Sequence, residues 1–229
     1  MSKHRFPIMT AILVMLLVVA CAGPPRIALP PDDTNGDFAA DCAAVFPQGN
    51  WQFAHAIQAH LPDGSRQTMI GITRISAAAQ AFECAMLTLE GMVLFQARYD
   101  GTAIEVKKAV PPMDQPGFAQ GLIDDIALLF FPPAAPPAQS GLLKDGARIC
   151  RYPLGDGIQD VVVQPDGRWE IRRYGADGRP RRTVLPDGSE ARHPQGFPSR
   201  LELRAHGAKG YRLNMSLMEA VPLDSRSTQ

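Results

Sequence analysis

Seven Asp-Gly pairs, at 63–64, 100–101, 145–146, 156–157, 166–167, 177–178 and 187–188, punctuate this chain. Both residues tolerate positive φ, which tight hairpin turns demand, so each pair favours a chain reversal between neighbouring strands. Several segments between them alternate with period two. In 51–61, Trp51, Phe53, His55, Ile57, Ala59 and Leu61 share one face, and Gln52, Ala54, Ala56, Gln58 and His60 share the other. That is the pattern of a half-buried strand. Further strands are predicted at 67–75, 82–89, 92–99 and 102–109. Val93, Phe95, Ala97 and Tyr99 face inward from the fourth strand, and Ile104 and Val106 from the fifth. Five such strands in a row make an antiparallel meander.

The period then changes. Phe118, Leu122, Ile126 and Phe130 recur every four residues, with Ala119, Ile123 and Ala127 beside them. Gln120, Asp124 and Asp125 fall opposite and read as a solvated face, so an amphipathic helix is predicted over 118–130. Pro116 suits its first turn and Pro132-Pro133 ends it. A Pro/Ala-rich loop is expected at 134–140. Strands resume at 147–152, 159–164 and 168–174, and a long twisted hairpin is expected over 169–192. Two last strands, 200–205 and 211–217, flank a turn at 206–210, with Tyr211, Leu213 and Met215 inward. Strands, a helix, then strands again indicate an α+β domain, with the helix on one face of a strongly curved antiparallel sheet.

The beginning of the chain carries an address. Lys3, His4 and Arg5 precede a run, 8–20, that is apolar except for Thr10. Its length suits a signal peptide and falls short of the roughly 20 residues of a membrane span. The run ends in Val18-Val19-Ala20-Cys21, which resembles the lipobox of bacterial lipoproteins. The resemblance implies cleavage before Cys21 and acylation of that cysteine. With Ala22 rather than Asp next, it implies an outer-membrane anchor facing the periplasm. The domain boundaries follow: signal peptide 1–20, lipidated cysteine and proline-rich tether 21–48, folded domain 49–223, and a loose polar tail 224–229. The chain has 23 basic and 23 acidic side chains. Losing Lys3 and Arg5 with the signal leaves a net charge of about −2, which argues against a nucleic-acid partner.

Cys42, Cys84 and Cys150 remain after Cys21 is modified. In an oxidising compartment one pair can bridge and leave one thiol over, or all three can serve as small buried hydrophobes. No catalytic or metal-binding motif is present: no H-E-x-x-H, no G-x-S-x-G, no glycine-rich phosphate loop. His55, on an apolar strand face, reads as a satisfied core histidine. The arginines around 168–192 read as a solvated hairpin balanced by Glu170, Asp177, Asp187 and Glu190.

The lipobox and tether, "LTLEGMVLFQARYDGTAIEV", "GLIDDIALLFFP" and the closing "PSRLELRAHGAKGYRLNMSLME" together resemble an uncharacterised family of bacterial outer-membrane lipoproteins, often encoded with aryl-polyene biosynthesis genes and similar to LolB. The resemblance implies a LolA/LolB-like half-barrel, with helices covering the concave face of the sheet and an apolar cavity for acyl chains. It implies no cofactor, no metal and no catalysis. The expected cavity residues are Trp51, Phe53, Ile57, Val93, Phe95, Phe118, Leu122, Ile126, Phe130, Tyr211, Leu213 and Met215. The expected partners are the outer membrane, a hydrophobic lipid-like ligand and, as a candidate, a periplasmic carrier protein. LolB's extended loop with an exposed leucine corresponds here to the short turn Glu90-Gly91-Met92, with Met92 in the leucine's place, so a cargo other than lipoproteins is expected. A structural or assembly lipoprotein that binds a protein partner and has no cavity is the alternative.

Overall fold

The computed structural model describes residues 23–28, 37–187 and 193–223. The signal peptide, Cys21 and the polar tail lie outside the described residues. After a short helix α1 (Phe38–Ala43), five strands run in succession: β1 (Asn50–His60), β2 (Arg66–Ser76), β3 (Ala81–Leu87), β4 (Val93–Tyr99) and β5 (Ile104–Ala109). Helix α2 (Phe118–Phe130) follows. Then come β6 (Gln139–Leu142), β7 (Arg148–Leu154), β8 (Gly157–Val163), β9 (Trp169–Gly175), β10 (Pro180–Pro186), β11 (Arg200–Ala205) and β12 (Arg212–Pro222).

All twelve strands form one antiparallel sheet in the order β5-β4-β3-β2-β1-β12-β11-β10-β9-β8-β7-β6. Two meanders are thus joined where β1 pairs with β12. Five of the Asp-Gly turns behave as expected: Gly64, Gly101, Gly146, Gly167 and Gly178 all have positive φ, while Gly188 lies outside the described residues. Gly157 serves otherwise, since a Cβ there would stand 1.9 Å from the Tyr174 carbonyl oxygen across the ladder.

The topology puts α2 over a face. β5 and β6 occupy opposite edges of the sheet, so the chain between them must cross it. The contacts of α2 also require curvature. Phe118 packs on Phe95 of β4, ring centroids 5.2 Å apart, while Asp125 pairs with Arg182 of β10. Those strands are six spacings apart, about 29 Å in a flat sheet at ~4.8 Å per strand. Seven helical residues advance only about 10 Å. One helix reaches both strands because the sheet curls around it. The chain therefore adopts the expected α+β architecture, a curved open antiparallel sheet with helices.

The β6–β8 wing is buried on both faces. Cys150 and Val161 face α1, and Cys42 of α1 is disulfide-bonded to Cys150 across 108 residues of sequence. Cys84 is free and buried. On the other face, Ala147, Ile149 and Val162 are covered by Leu143 and by Ile27 from the chain start. Ala28 bridges to Leu142 through two backbone hydrogen bonds of 2.9 and 3.0 Å. Arg151, bonded to buried Asp160 through two contacts of 2.7 Å, donates at 2.9 Å to the Pro25 carbonyl. Within the span read as a tether, residues 23–28 and the helix at 38–43 are thus seated on the sheet.

Two further differences stand out. The 134–140 loop ends in a strand, β6, whose Gly141 lies so close to the Ala28 carbonyl that a Cβ would come within 2.3 Å of its oxygen. Val106 points outward and is 45% exposed, because β5 is an edge strand and its register with β4 shifts between Gln96 and Ala97.

A candidate ligand cavity

Between α2 and the concave face of β1, β2, β3 and β12 lies a cavity of about 610 Å³. Ligand sites typically occupy about 300–1,000 Å³. From α2 it is lined by Phe118, Gly121, Leu122, Asp125, Ile126, Leu129 and Phe130. The sheet contributes mainly Ile57, Ala59, Met69, Gly71, Met86, Leu213 and Met215. The wall is overwhelmingly apolar. One end is built from the exposed or half-buried residues Leu61, Pro62, Gln67, Gln115, Gly117 and Lys209. At the other end an aromatic stack closes the space. Phe53 packs on Phe130 at 5.1 Å and on Phe197 at 5.0 Å, and Trp51 meets Phe197 at 4.9 Å.

Eight of the twelve residues expected at a cavity line it: Ile57, Phe118, Leu122, Ile126, Phe130, Tyr211, Leu213 and Met215. Four stand elsewhere. Trp51 and Phe53 belong to the closing stack, and Phe95, fully buried, supports Phe118 from below. Val93 begins β4, on a strand beyond the cavity's β3 boundary. Ala97 also faces the packed part of the core and is 1% exposed.

Asp125, Arg182, Tyr211, His55 and Thr73 are the buried or half-buried polar side chains of the wall. Asp125, read in the sequence as solvated, is buried. Arg182 Nε donates to its carboxylate at 2.5 Å, and the Tyr211 hydroxyl donates to the other oxygen. Helical positions 122, 125, 126 and 129 form one continuous stripe, and Asp125 lies inside it. Burial raises the Asp125 carboxyl above the ordinary carboxylate range, opposed by the charge of Arg182 and the hydrogen bond from Tyr211. Burial, and then the adjacent carboxylate, push the Tyr211 phenol up, so it stays protonated and donates. His55 is 6% exposed, and desolvation lowers its imidazole to about 4. It is not the satisfied core histidine expected: among the described residues its contacts are with the rings of Phe53 and Phe130. Among the described residues, no group of three or more His, Cys, Asp or Glu side chains could hold a metal.

Residues 52–216 match the model of DUF3261, described as a protein of unknown function. The chain belongs to this family. Solved structures of similar shape include a LolA superfamily protein from Nitrosomonas europaea, with TM-score 0.49 and 12% identity over 82% of this chain and 92% of that one. Another is a DUF1329 family protein from Desulfovibrio piger, with TM-score 0.47 and 9% identity over 83% and 92%. No curated protein sequence matches. The span matched to DUF3261 holds every cavity-lining residue, together with Cys84 and Cys150. Cys42, the other half of the disulfide, precedes it. The span also includes the β3–β4 turn, where Leu89 and Met92 are 61% and 60% exposed. No helix among the described residues is long and apolar enough to cross a membrane.

Proposed function

We propose that this DUF3261 member is a non-catalytic lipoprotein of the outer membrane, anchored through acyl chains on Cys21 and facing the periplasm. It binds the hydrocarbon part of an envelope lipid between α2 and the sheet and moves or inserts that lipid. The observation that carries the reading is the cavity itself: about 610 Å³ of apolar-walled space, open at the Lys209 end. Leaving such a volume unfilled in a core costs stability, because protein interiors otherwise pack to crystal-like density. A lipid chain supplies the missing contacts. The exposed Leu89 and Met92 give the domain an apolar tip with which to touch a bilayer or a carrier protein. The resemblance to LolB-like lipoproteins points the same way, and a polyene ester is within the class of cargo it admits.

The full chain carrying Cys21→Ser is expected to leave the membrane fraction and, by native mass spectrometry, to retain a lipid. Leu213→Trp fills cavity space. It is expected to leave unfolding stability nearly unchanged while weakening uptake of a fluorescent fatty acid at least tenfold. Ala97→Phe, in the packed core, is expected to cost about 1–3 kcal/mol through strain. Absence of both bound lipid and probe uptake would refute the reading and leave a protein-docking lipoprotein in its place.

A further inference from the structure

Besides the hydrogen-bonded Asp125, Arg182 and Tyr211, the cavity wall holds two buried polar residues, His55 and Thr73, that lie towards its closed end. His55 lies just inside the Phe53–Phe130 stack. The ladder is irregular at this step. Ala54 pairs with Glu219 and His55 with Leu217, leaving Met218 of β12 unpaired between them. Such bulges re-aim a side chain and cluster beside functional sites. On the neighbouring strand, Thr73 stands opposite Phe53, and Gly71 stands opposite His55. His55 and Thr73 are therefore diagonal neighbours, about 7–8 Å apart along the sheet. Gly71, opposite His55, also lines the cavity, and its missing side chain makes room for Ile57, whose Cδ1 would stand 2.6 Å from a Cβ there. Both polar residues line the cavity and are more than nine-tenths buried. Neither side chain has a hydrogen-bond partner among the described residues.

Resting on the cavity reading above, we propose that the closed end recognises an uncharged hydrogen-bonding group, a hydroxyl or carbonyl, carried on the leading end of the bound chain. His55 is the specificity-determining residue and Thr73 assists it. A neutral imidazole offers one N–H donor and one acceptor nitrogen, and the threonine hydroxyl offers both roles. Solvent can serve these groups in an empty cavity. A bound chain that expels solvent has to replace those bonds or leave the groups unpaired. A charged terminus does not suit the site. From Leu61 at the open end to His55 is six strand residues, about 20 Å, and among the described residues no unpaired counter-charge lines the closed end. The exposed Lys209 sits at the open end instead, where the acidic end of a chain can stay solvated.

The test compares hexadecanoic acid with 16-hydroxyhexadecanoic acid, which differ only at the end distant from the carboxylate. Their affinities for the full chain carrying Cys21→Ser are measured by titration calorimetry. In a wholly apolar cavity the added hydroxyl weakens binding. Here it is expected to strengthen binding about tenfold, the effect of one net hydrogen bond. Adding His55→Phe is expected to abolish or invert that preference, read as the ratio of the two affinities in the same variant. Adding Thr73→Val is expected to reduce the preference in part. Equal affinities before these substitutions, or a preference that survives both, would overturn the proposal and leave the cavity reading standing. Binding of neither acid would overturn both. If His55→Phe does not fold, the comparison before substitution and the Thr73→Val variant still decide.

Discussion

One imidazole buried without a hydrogen-bond partner among the described residues makes the stability of the fold depend on pH in a definite direction. His55 is lowered from its ordinary 6.5 to about 4 by desolvation. Above pH 6.5 the ring is neutral whether the chain is folded or not, and nothing changes. Below it the unfolded chain takes up a proton that the native state refuses, so stability falls as pH falls. The slope approaches about 1.4 kcal/mol per pH unit until the native ring titrates near 4. Urea unfolding at pH 7 and pH 4.5 is expected to show a loss of about 2–3 kcal/mol in the parent chain that His55→Phe lacks. Equal losses in both would mean that the native ring takes up its proton as readily as the unfolded one. Cys84 contributes nothing comparable at neutral pH, because burial holds its thiol at about 11.

Helix α2 is held by apolar contacts along its length and by one buried ion pair near its middle. Removing one member of such a pair strands the other, at a cost of about 3–5 kcal/mol. Arg182→Met is therefore expected to destabilise the fold strongly, and Asp125→Leu combined with Arg182→Met to recover most of the loss. Urea unfolding of the single and double variants checks this; additive losses would refute it. The limits of α2 are legible in the sequence, because apolar residues every four positions and prolines on both sides are local signals. The burial of Asp125 is not legible. Its partners Arg182 and Tyr211 are 57 and 86 residues away, so no local window contains them. β6 is hidden for a similar reason: four residues including a glycine take strand form against β7 and Ala28. The cavity is half legible. Alternation tells that Phe53, Phe95, Ile57 and Leu213 all face inward. Which of these meet another ring and which meet open space depends on the curl of the whole sheet.

At the scale of the molecule, the two wings are secured differently. The wing of β1–β3, β12 and α2 surrounds the cavity, while the wing of β6–β8 is clamped by the Cys42–Cys150 bond. Closing a loop of about 100 residues restricts the unfolded chain, and such bonds typically contribute about 2–4 kcal/mol. Replacing both cysteines with alanine is expected to lower unfolding stability by that amount and to leave fatty-acid uptake intact, since neither lines the cavity. Loss of uptake with the fold retained would show that the wings are coupled. The seat of residues 23–28 on β6 and β7 has a consequence for range. A free segment of some sixteen residues would let the domain swing about 50 Å from its anchor. With Pro25 and Ala28 fastened to the sheet, the proposed acylated Cys21 would have four peptide steps of slack before Pro25, about 14 Å. On the proposed anchor the protein would work as a fixture on the bilayer rather than as a buoy on a line: whatever it took up or handed over would have to come to the membrane surface to meet it.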